Sequence, residues 1–318
     1  MKRFAIYLLA GVFLAGVAAG CGARTATPAR QYFITIAAGN ANDVYYPLGS
    51  ALVEVFNKGA AGINASLQTN GDTPLNLLSA GKANLAFAPS DVAYYAMNGM
   101  EMFKGKPAIQ LQALSSLYAE AVQILVLDNN ATIRNVADLK GKRVAAGPVG
   151  SASEATARQL LGVYGITYND VRVQYLPLAE AVNALRNGVV DAAIVTTETP
   201  SAIVAAAAAQ TKLRLLPVET GKAELLISQY PFYAKGLIPA KSYANVERDT
   251  ETVGVPVLLI AAERMDEEVG YKIIKAMYNN VETLQAAHPA GITMDKTRAL
   301  SGAAIPINPG AEKFFKEK

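Results

Sequence analysis

The sequence predicts an α/β protein built from two similar lobes. Strand-like and helix-like segments alternate, the same plan occurs twice, and two long apolar segments connect the repeats. Such alternation favours largely parallel sheets whose loops gather at the carboxyl ends of the strands. Without the leading segment treated below, about 290 residues remain, which is more than one core usually organises, so two lobes are expected.

Each repeat opens with a strand and a helix. Residues 33–39 predict a buried strand that ends at a glycine turn, and residues 143–147 predict another, displaced along the chain by 145 − 37 = 108 positions. Helices are predicted to follow over 47–57 and 154–164, where apolar residues recur at helical spacing. The two halves therefore begin alike.

A second strand continues each repeat, at 65–69 and at 171–176. A helix closed by a glycine and a further strand follow it. Gly81 and Gly188 stand where a helix ends in the left-handed conformation. With a constant offset of 107, the halves align Asn76, Leu78, Gly81, Asn84 and Ala86 with Asn183, Leu185, Gly188, Asp191 and Ala193.

Two long apolar segments are predicted to pass between the lobes. Residues 113–127 would cross from lobe one to lobe two, and residues 253–262 would cross back. A helix from Glu267 to Ala287 would then complete lobe one. The predicted division is a signal peptide (1–20), a lipidated tether (21–31), lobe one (32–122 and 257–318) and lobe two (123–256).

The first residues have the form of a secretory signal. Lys2 and Arg3 precede an apolar run from Phe4 to Ala19, which is shorter than the ~20 residues of a spanning helix. Cys21, the only cysteine, stands where lipoprotein signals are cleaved and acylated. We expect an extracytoplasmic protein anchored to a membrane through Cys21; the alternative is a plain signal peptide with an incidental cysteine.

Charge and composition disfavour several classes of function. Loss of Lys2 and Arg3 lowers Lys+Arg from 29 to 27 against 26 Asp+Glu, so the net charge falls from +3 to +1, which argues against nucleic-acid binding. The single histidine, His288, is predicted to be a surface or capping residue. No catalytic, cofactor or metal motif is found, so we predict a binding protein without a cofactor. A hydrolase using a Ser/Lys or carboxylate pair stays open as an alternative.

Several segments carry a family resemblance: 43–49 (DVYYPLG), 90–94 (SDVAY), 116–118 (SLY), 136–144 (VADLKGKRV), 230–233 (YPFY), 238–240 (IPA), 287–289 (AHP) and 306–310. They are colinear and resemble the TAXI branch of solute receptors for tripartite ATP-independent periplasmic (TRAP) transporters. The resemblance implies a type II periplasmic-binding-protein fold that closes on a small organic anion. In that family the anion is often glutamate or a related dicarboxylate.

The same resemblance implies a partner. Such receptors deliver their ligand to a membrane permease that a sodium or proton gradient drives, without an ATPase. Two alternatives with the same fold remain open: a receptor for a different importer and the sensor of a signalling system. Fold alone does not separate them.

Candidate ligand residues follow the predicted strand ends and helix starts. Two loops, Gly39–Tyr45 and Gly147–Ser153, lead into helix N-termini, whose free amides favour a carboxylate. Tyrosines offer an apolar wall with a hydroxyl. The alternative is ordinary capping, turn chemistry or core packing. The candidate set is Asn40, Asn42, Asp43, Tyr45, Asn70, Gly71, Ser90, Tyr118, Ser151, Ser153, Thr196, Thr197 and Tyr233.

Three acids depart from the family's pattern: Asp43, Asp72 and Glu198. Like charges a few ångströms apart must be offset by protonation or by cations, so acids beside the cleft disfavour a dianionic ligand. One hypothesis is a ligand that is less anionic than glutamate or that bears an amine. The other is that these acids point into solvent or cap helices.

Overall fold

The chain from Gln31 onward folds as one compact unit around a mixed sheet. The computed structural model describes residues 30–39, 45–69, 72–287 and 294–317. Within these residues ten strands pair in the order β2 (Ile63–Gln68), β1 (Tyr32–Ala37), β3 (Leu85–Pro89), β10 (Thr250–Ala262), β4 (Leu111–Leu127), β7 (Ala192–Thr197), β5 (Arg143–Ala146) and β6 (Arg172–Tyr175). In addition, β8 (Leu213–Leu216) pairs with β4 and β9 (Ala234–Ile238) with β10. The α/β fold with two lobes agrees with the prediction.

The first lobe contains the elements at both ends of the chain. Its strands pair in parallel, β1 with β2 and β1 with β3. Its elements are β1 (Tyr32–Ala37), α1 (Tyr45–Gly59), β2 (Ile63–Gln68), α2 (Pro74–Ser79), β3 (Leu85–Pro89), α3 (Ser90–Asn98), a 3-10 turn (Glu101–Phe103), α8 (Glu267–Tyr278), α9 (Val281–Ala287) and α10 (Pro309–Lys316).

The second lobe repeats the parallel pairing, β5 with β6 and β5 with β7. Its elements are a 3-10 turn (Val136–Leu139), β5 (Arg143–Ala146), α4 (Ala152–Val163), β6 (Arg172–Tyr175), α5 (Leu178–Arg186), β7 (Ala192–Thr197), α6 (Ala202–Gln210), β8 (Leu213–Leu216), α7 (Thr220–Gln229) and β9 (Ala234–Ile238). Gly81 and Gly188 both adopt φ of +69°, which confirms the predicted left-handed helix ends.

Two long strands join the lobes, as the apolar segments predict. β4 (Leu111–Leu127) and β10 (Thr250–Ala262) run antiparallel to each other through the centre of the sheet. Residues 252–261 of β10 are all buried, because helices of both lobes cover the strand. A strand covered on both faces needs a continuous apolar run, and this is what the sequence shows.

The predicted helix from Glu267 to Ala287 is wrong in one respect, because it is two helices, α8 and α9. Near the break, the Asn279 amide still donates to Lys275 O (3.0 Å), and the Asn280 side chain donates to Ala276 O (2.8 Å). An asparagine side chain that competes for a helix carbonyl offers the backbone another conformation and favours a helix end.

The core lies on both faces of the sheet in each lobe. Buried clusters under α1 and α8 and under α2 belong to the first lobe, and those under α4 and under α5 and α6 belong to the second. Tyr95, on α3 of the first lobe, packs in a cluster of the second. The lobe boundaries near residues 122 and 257 stay predictions. No helix in the described ranges has the length and apolarity needed to cross a bilayer.

Candidate functional site

Strand register brings the ends of β3 and β7 to the middle of β4. Val257 of β10 lies opposite Pro89, the last residue of β3, and also opposite Tyr118 of β4. On the other side of β4, Ala121 lies opposite Thr197, the last residue of β7. The residues that follow β3 and β7 therefore flank the segment 118–121 of β4, from one lobe each. We call this region the cleft.

Three carboxylates lie at the cleft, Asp91 at the start of α3, Glu120 in β4 and Glu198 after β7, and the first and last are close enough to Glu120 to act on its charge. Asp91 is only 2% exposed, and this burial raises its pKa to about 6. Burial raises the pKa of Glu120 to about 8, and the nearby Asp91 and Glu198 raise it further. No described lysine or arginine forms an ion pair with any of the three. The described cleft is thus acidic.

Tyr118 lies near Glu120 and Glu198, and its contact with a ligand stays a prediction. Its side chain is buried, and burial together with Glu120 and Glu198 raises its pKa far above the usual range. The phenol therefore keeps its proton at neutral pH. A neutral hydroxyl next to carboxylates acts as a hydrogen-bond donor or acceptor without adding charge.

The loop before α4 and the first turn of α4, in the second lobe, contain two predicted site residues, Ser151 and Ser153. The Ser151 hydroxyl accepts from Glu154 N (3.2 Å), so this serine caps α4. A Cβ on Gly147 would lie 2.5 Å from Ser153 Cβ, because the loop folds tightly over the helix start. Ser153 and Thr196 line a small cavity together with Gly147. The Thr196 hydroxyl is buried there and has no partner within the described residues.

Three predicted site hydroxyls are already engaged by the protein. Ser90 donates to Phe232 O (2.8 Å), Thr197 donates to Glu198 Oε2 (2.6 Å), and Tyr233 donates to Gln159 Oε1 (2.7 Å). Tyr233 is 1% exposed, within the core of the second lobe. These contacts favour a structural role for the three hydroxyls, and their contact with ligand stays a prediction.

The remaining predicted residues lie around the start of α1 or outside the described residues. Tyr45 stacks on Phe87, with ring centroids 5.3 Å apart. Asp72 is exposed to solvent, which agrees with the hypothesis that the additional acids point into solvent or cap helices. Outside the described residues lie Cys21, Asn40, Asn42, Asp43, Asn70, Gly71 and His288.

Two cleft residues of β4 were missed at the level of sequence. Glu120 is the only charged residue of β4. A lone acid in an apolar crossing strand was the signal from which the sequence could have predicted it as a cleft residue. Gln123 is fully buried and donates to Glu198 O and to Thr199 Oγ1, both at 3.2 Å. It holds the loop after β7 in place, and nothing in its local sequence indicates that role. Within the described ranges no group of acids, histidines or cysteines is arranged to hold a metal ion.

Comparison with known proteins shows the family. The chain belongs to the NMT1-like family, whose model matches residues 36–318. This match does not single out the TAXI branch that the sequence motifs resemble.

Solved structures with the same fold include three solute-binding proteins. A TctC solute binding protein from Polaromonas has a TM-score of 0.58 at 18% identity, over 82% of this chain and 88% of that one. The periplasmic sulfonate-binding protein SsuA from Methylobacillus flagellatus KT has a TM-score of 0.52 at 17% identity, over 81% of this chain and 73% of that one. The periplasmic aliphatic sulphonate binding protein SsuA from Escherichia coli has a TM-score of 0.50 at 18% identity, over 89% and 82%. The two-lobed periplasmic-binding-protein fold is thus shown.

Proposed function

We propose that this protein is an extracytoplasmic solute receptor that captures a small organic molecule between its lobes and delivers it to a membrane transporter. The observation that carries the proposal is the convergence of strand ends from both lobes on residues 118–121 of β4. Ligands of open α/β sheets bind beyond the carboxyl ends of the strands. Membership of the NMT1-like family and the fold shared with SsuA and TctC support it.

The ligand we propose is an amino carboxylate such as glutamate or a related compound. The start of α4, with Ser151 and Ser153, would bind the carboxylate, because amides at a helix N-terminus donate hydrogen bonds and the helix dipole favours an anion. An ammonium group would lie among Asp91, Glu120 and Glu198, where it would offset the repulsion between carboxylates. This extends the amine hypothesis from Glu198 to two acids that the fold brings beside it.

The transporter we propose is a TRAP-type permease, on the strength of the motifs shared with the TAXI branch. Acylation of Cys21 would hold the receptor near that permease and raise its effective concentration there. We propose no enzymatic activity and no cofactor. A receptor for a different importer uses the same fold, and SsuA from Methylobacillus flagellatus, described as part of a sulfonate ABC transporter, is an example. Co-purification of the tethered protein with its membrane partner distinguishes these cases.

Calorimetry with a matched ligand panel tests the ligand class. Glutamate and a neutral amino acid carry both groups, succinate lacks the amine, and putrescine lacks the carboxylate. We expect the amino acids to bind more tightly than either truncated ligand. Glu120→Gln and Glu198→Gln should weaken amino-acid binding, whereas Asp72→Asn, on an exposed side chain, serves as the control.

The pH dependence of binding gives a second readout. Because the pKa of Glu120 is raised to about 8, this acid is mostly protonated in the free protein below that pH. An ammonium ligand needs the ionised form, so its affinity should rise from pH 6 to pH 8. Succinate binding as tightly as glutamate, with both Gln variants unaffected, would contradict the amine site and leave a simple dicarboxylate as ligand.

A further inference from the structure

A buried chain of hydrogen bonds joins α3 of the first lobe to α4 of the second. Gln159 of α4 donates to the Tyr95 hydroxyl of α3 (2.8 Å) and accepts from the Tyr233 hydroxyl (2.7 Å). The Tyr233 hydroxyl also lies 3.2 Å from Thr156 Oγ1, one turn earlier on α4. Tyr95 is fully buried and Gln159 is 4% exposed, so the chain is shielded from water.

Packing and charge add to this junction. The ring of Phe232 contacts those of Tyr94 and Tyr95, with centroids 5.3 and 5.2 Å apart. At the rim, Arg158 donates to Glu101 (2.8 Å), which follows α3, and to Glu154 on its own helix (3.2 Å). We call Tyr95, Gln159, Tyr233 and the Glu101–Arg158 pair the clasp.

The clasp lies close to both helix starts at the cleft. Tyr95 follows Asp91 by four residues, so both occupy one side of α3. Gln159 follows Ser151, the cap of α4, by about two turns. Meanwhile Ala93 and Ala96 of α3 pack in the core of the first lobe. α3 is therefore held by both lobes, directly behind the cleft.

We infer that the clasp sets the width of the cleft in the unliganded protein, with Tyr95 and Gln159 as positioning residues. Separating α3 from α4 would break the hydrogen bond between the Gln159 Nε2 group and the Tyr95 hydroxyl, which is costly because both groups are buried. The clasp therefore limits opening on the α3 side and keeps the starts of α3 and α4 at a fixed separation. The inference needs no ligand, so it stands apart from the proposed function.

Small-angle scattering and hydrogen exchange on the unliganded full chain test this inference. Gln159→Leu removes the hydrogen bonds to Tyr233 and to Tyr95, of which only the second holds α3. It should therefore enlarge the radius of gyration and speed amide exchange in α3 by about tenfold, the change given by loss of that one buried hydrogen bond. Ser115→Ala is the matched control, because Ser115 is equally buried and bonds Tyr278 within the first lobe. It should lower the melting temperature without enlarging the protein.

Arg158→Gln gives a second variant if Gln159→Leu does not fold. Its side chain is 42% exposed, so the change should leave the core intact while removing the ion pair with Glu101. We expect Arg158→Gln to enlarge the radius of gyration and to speed amide exchange in α3, each by less than Gln159→Leu does. The decisive variant is Gln159→Leu if it folds, and Arg158→Gln if it does not. If that variant keeps the wild-type radius of gyration and the wild-type rate of amide exchange in α3, the clasp is only a packing contact and the inference is overturned.

Discussion

Replacing Asp91 by asparagine should stabilise the unliganded protein at neutral pH. The Asp91 carboxyl is 2% exposed, and its Oδ1 accepts from the neighbouring Val92 amide (2.7 Å). Burial raises its pKa from 3.8 to about 6. Asparagine keeps the Oδ1 acceptor and the shape but has no charge to bury.

The magnitude follows from the shift in pKa. About two pKa units at 1.36 kcal/mol each correspond to about 3 kcal/mol between the ionised and neutral forms. The folded protein holds this proton more tightly than the unfolded chain, so its stability falls as pH rises from about 4 to about 6. The substitution Asp91→Asn removes that loss. The free energy of unfolding of Asp91→Asn should be close to that of the wild type at pH 4 and exceed it by about 3 kcal/mol at pH 7.

Urea unfolding at intervals from pH 4 to pH 8 measures this difference, on protein refolded from urea to remove bound solute. Asp170→Asn is a control of opposite sign, because Thr167 and Lys140 lower the pKa of Asp170 to about 2. That substitution should destabilise the protein at pH 7, and its effect should fade as pH falls toward 2. If Asp91→Asn destabilises at pH 7, or shifts stability equally at pH 4 and 7, the argument from burial is refuted.

Two further predictions concern the loop before α4 and the anchor. Gly147→Ala should destabilise the protein by about 1–3 kcal/mol, because the new Cβ would meet Ser153 Cβ at 2.5 Å and Glu154 N at 2.7 Å. Gly162→Ala is the control, since Gly162 lies in the helix that follows and has open space around it, and this change should stabilise the protein by about 0.5–1 kcal/mol. Equal thermal shifts for both would contradict the close approach. Cys21→Ser should move the protein from the membrane to the soluble fraction on cell fractionation, and wild-type protein already free of membranes would exclude the anchor.

Local sequence patterns were sufficient to predict the repeated plan of the fold. Hydrophobic periodicity located β1, β5 and the helices after them, and the glycines at 81 and 188 marked helix ends because only a left-handed residue closes a helix in this way. The two crossing strands were equally visible, as apolar runs too long for a surface strand. These signals depend on neighbours along the chain, so one sequence contains them.

The chemistry of the cleft and the clasp depended on the tertiary structure. Asp91, Glu120 and Glu198 are far apart in the chain, and only the register of β3, β10, β4 and β7 brings them together. The sequence predicts Tyr233 as a ligand residue, and only the tertiary structure shows that its hydroxyl bonds Gln159, which lies 74 positions away. The chain order determines which residues can form an element, but long-range pairing decides which side chains share one environment, and with it their burial, their pKa values and their partners.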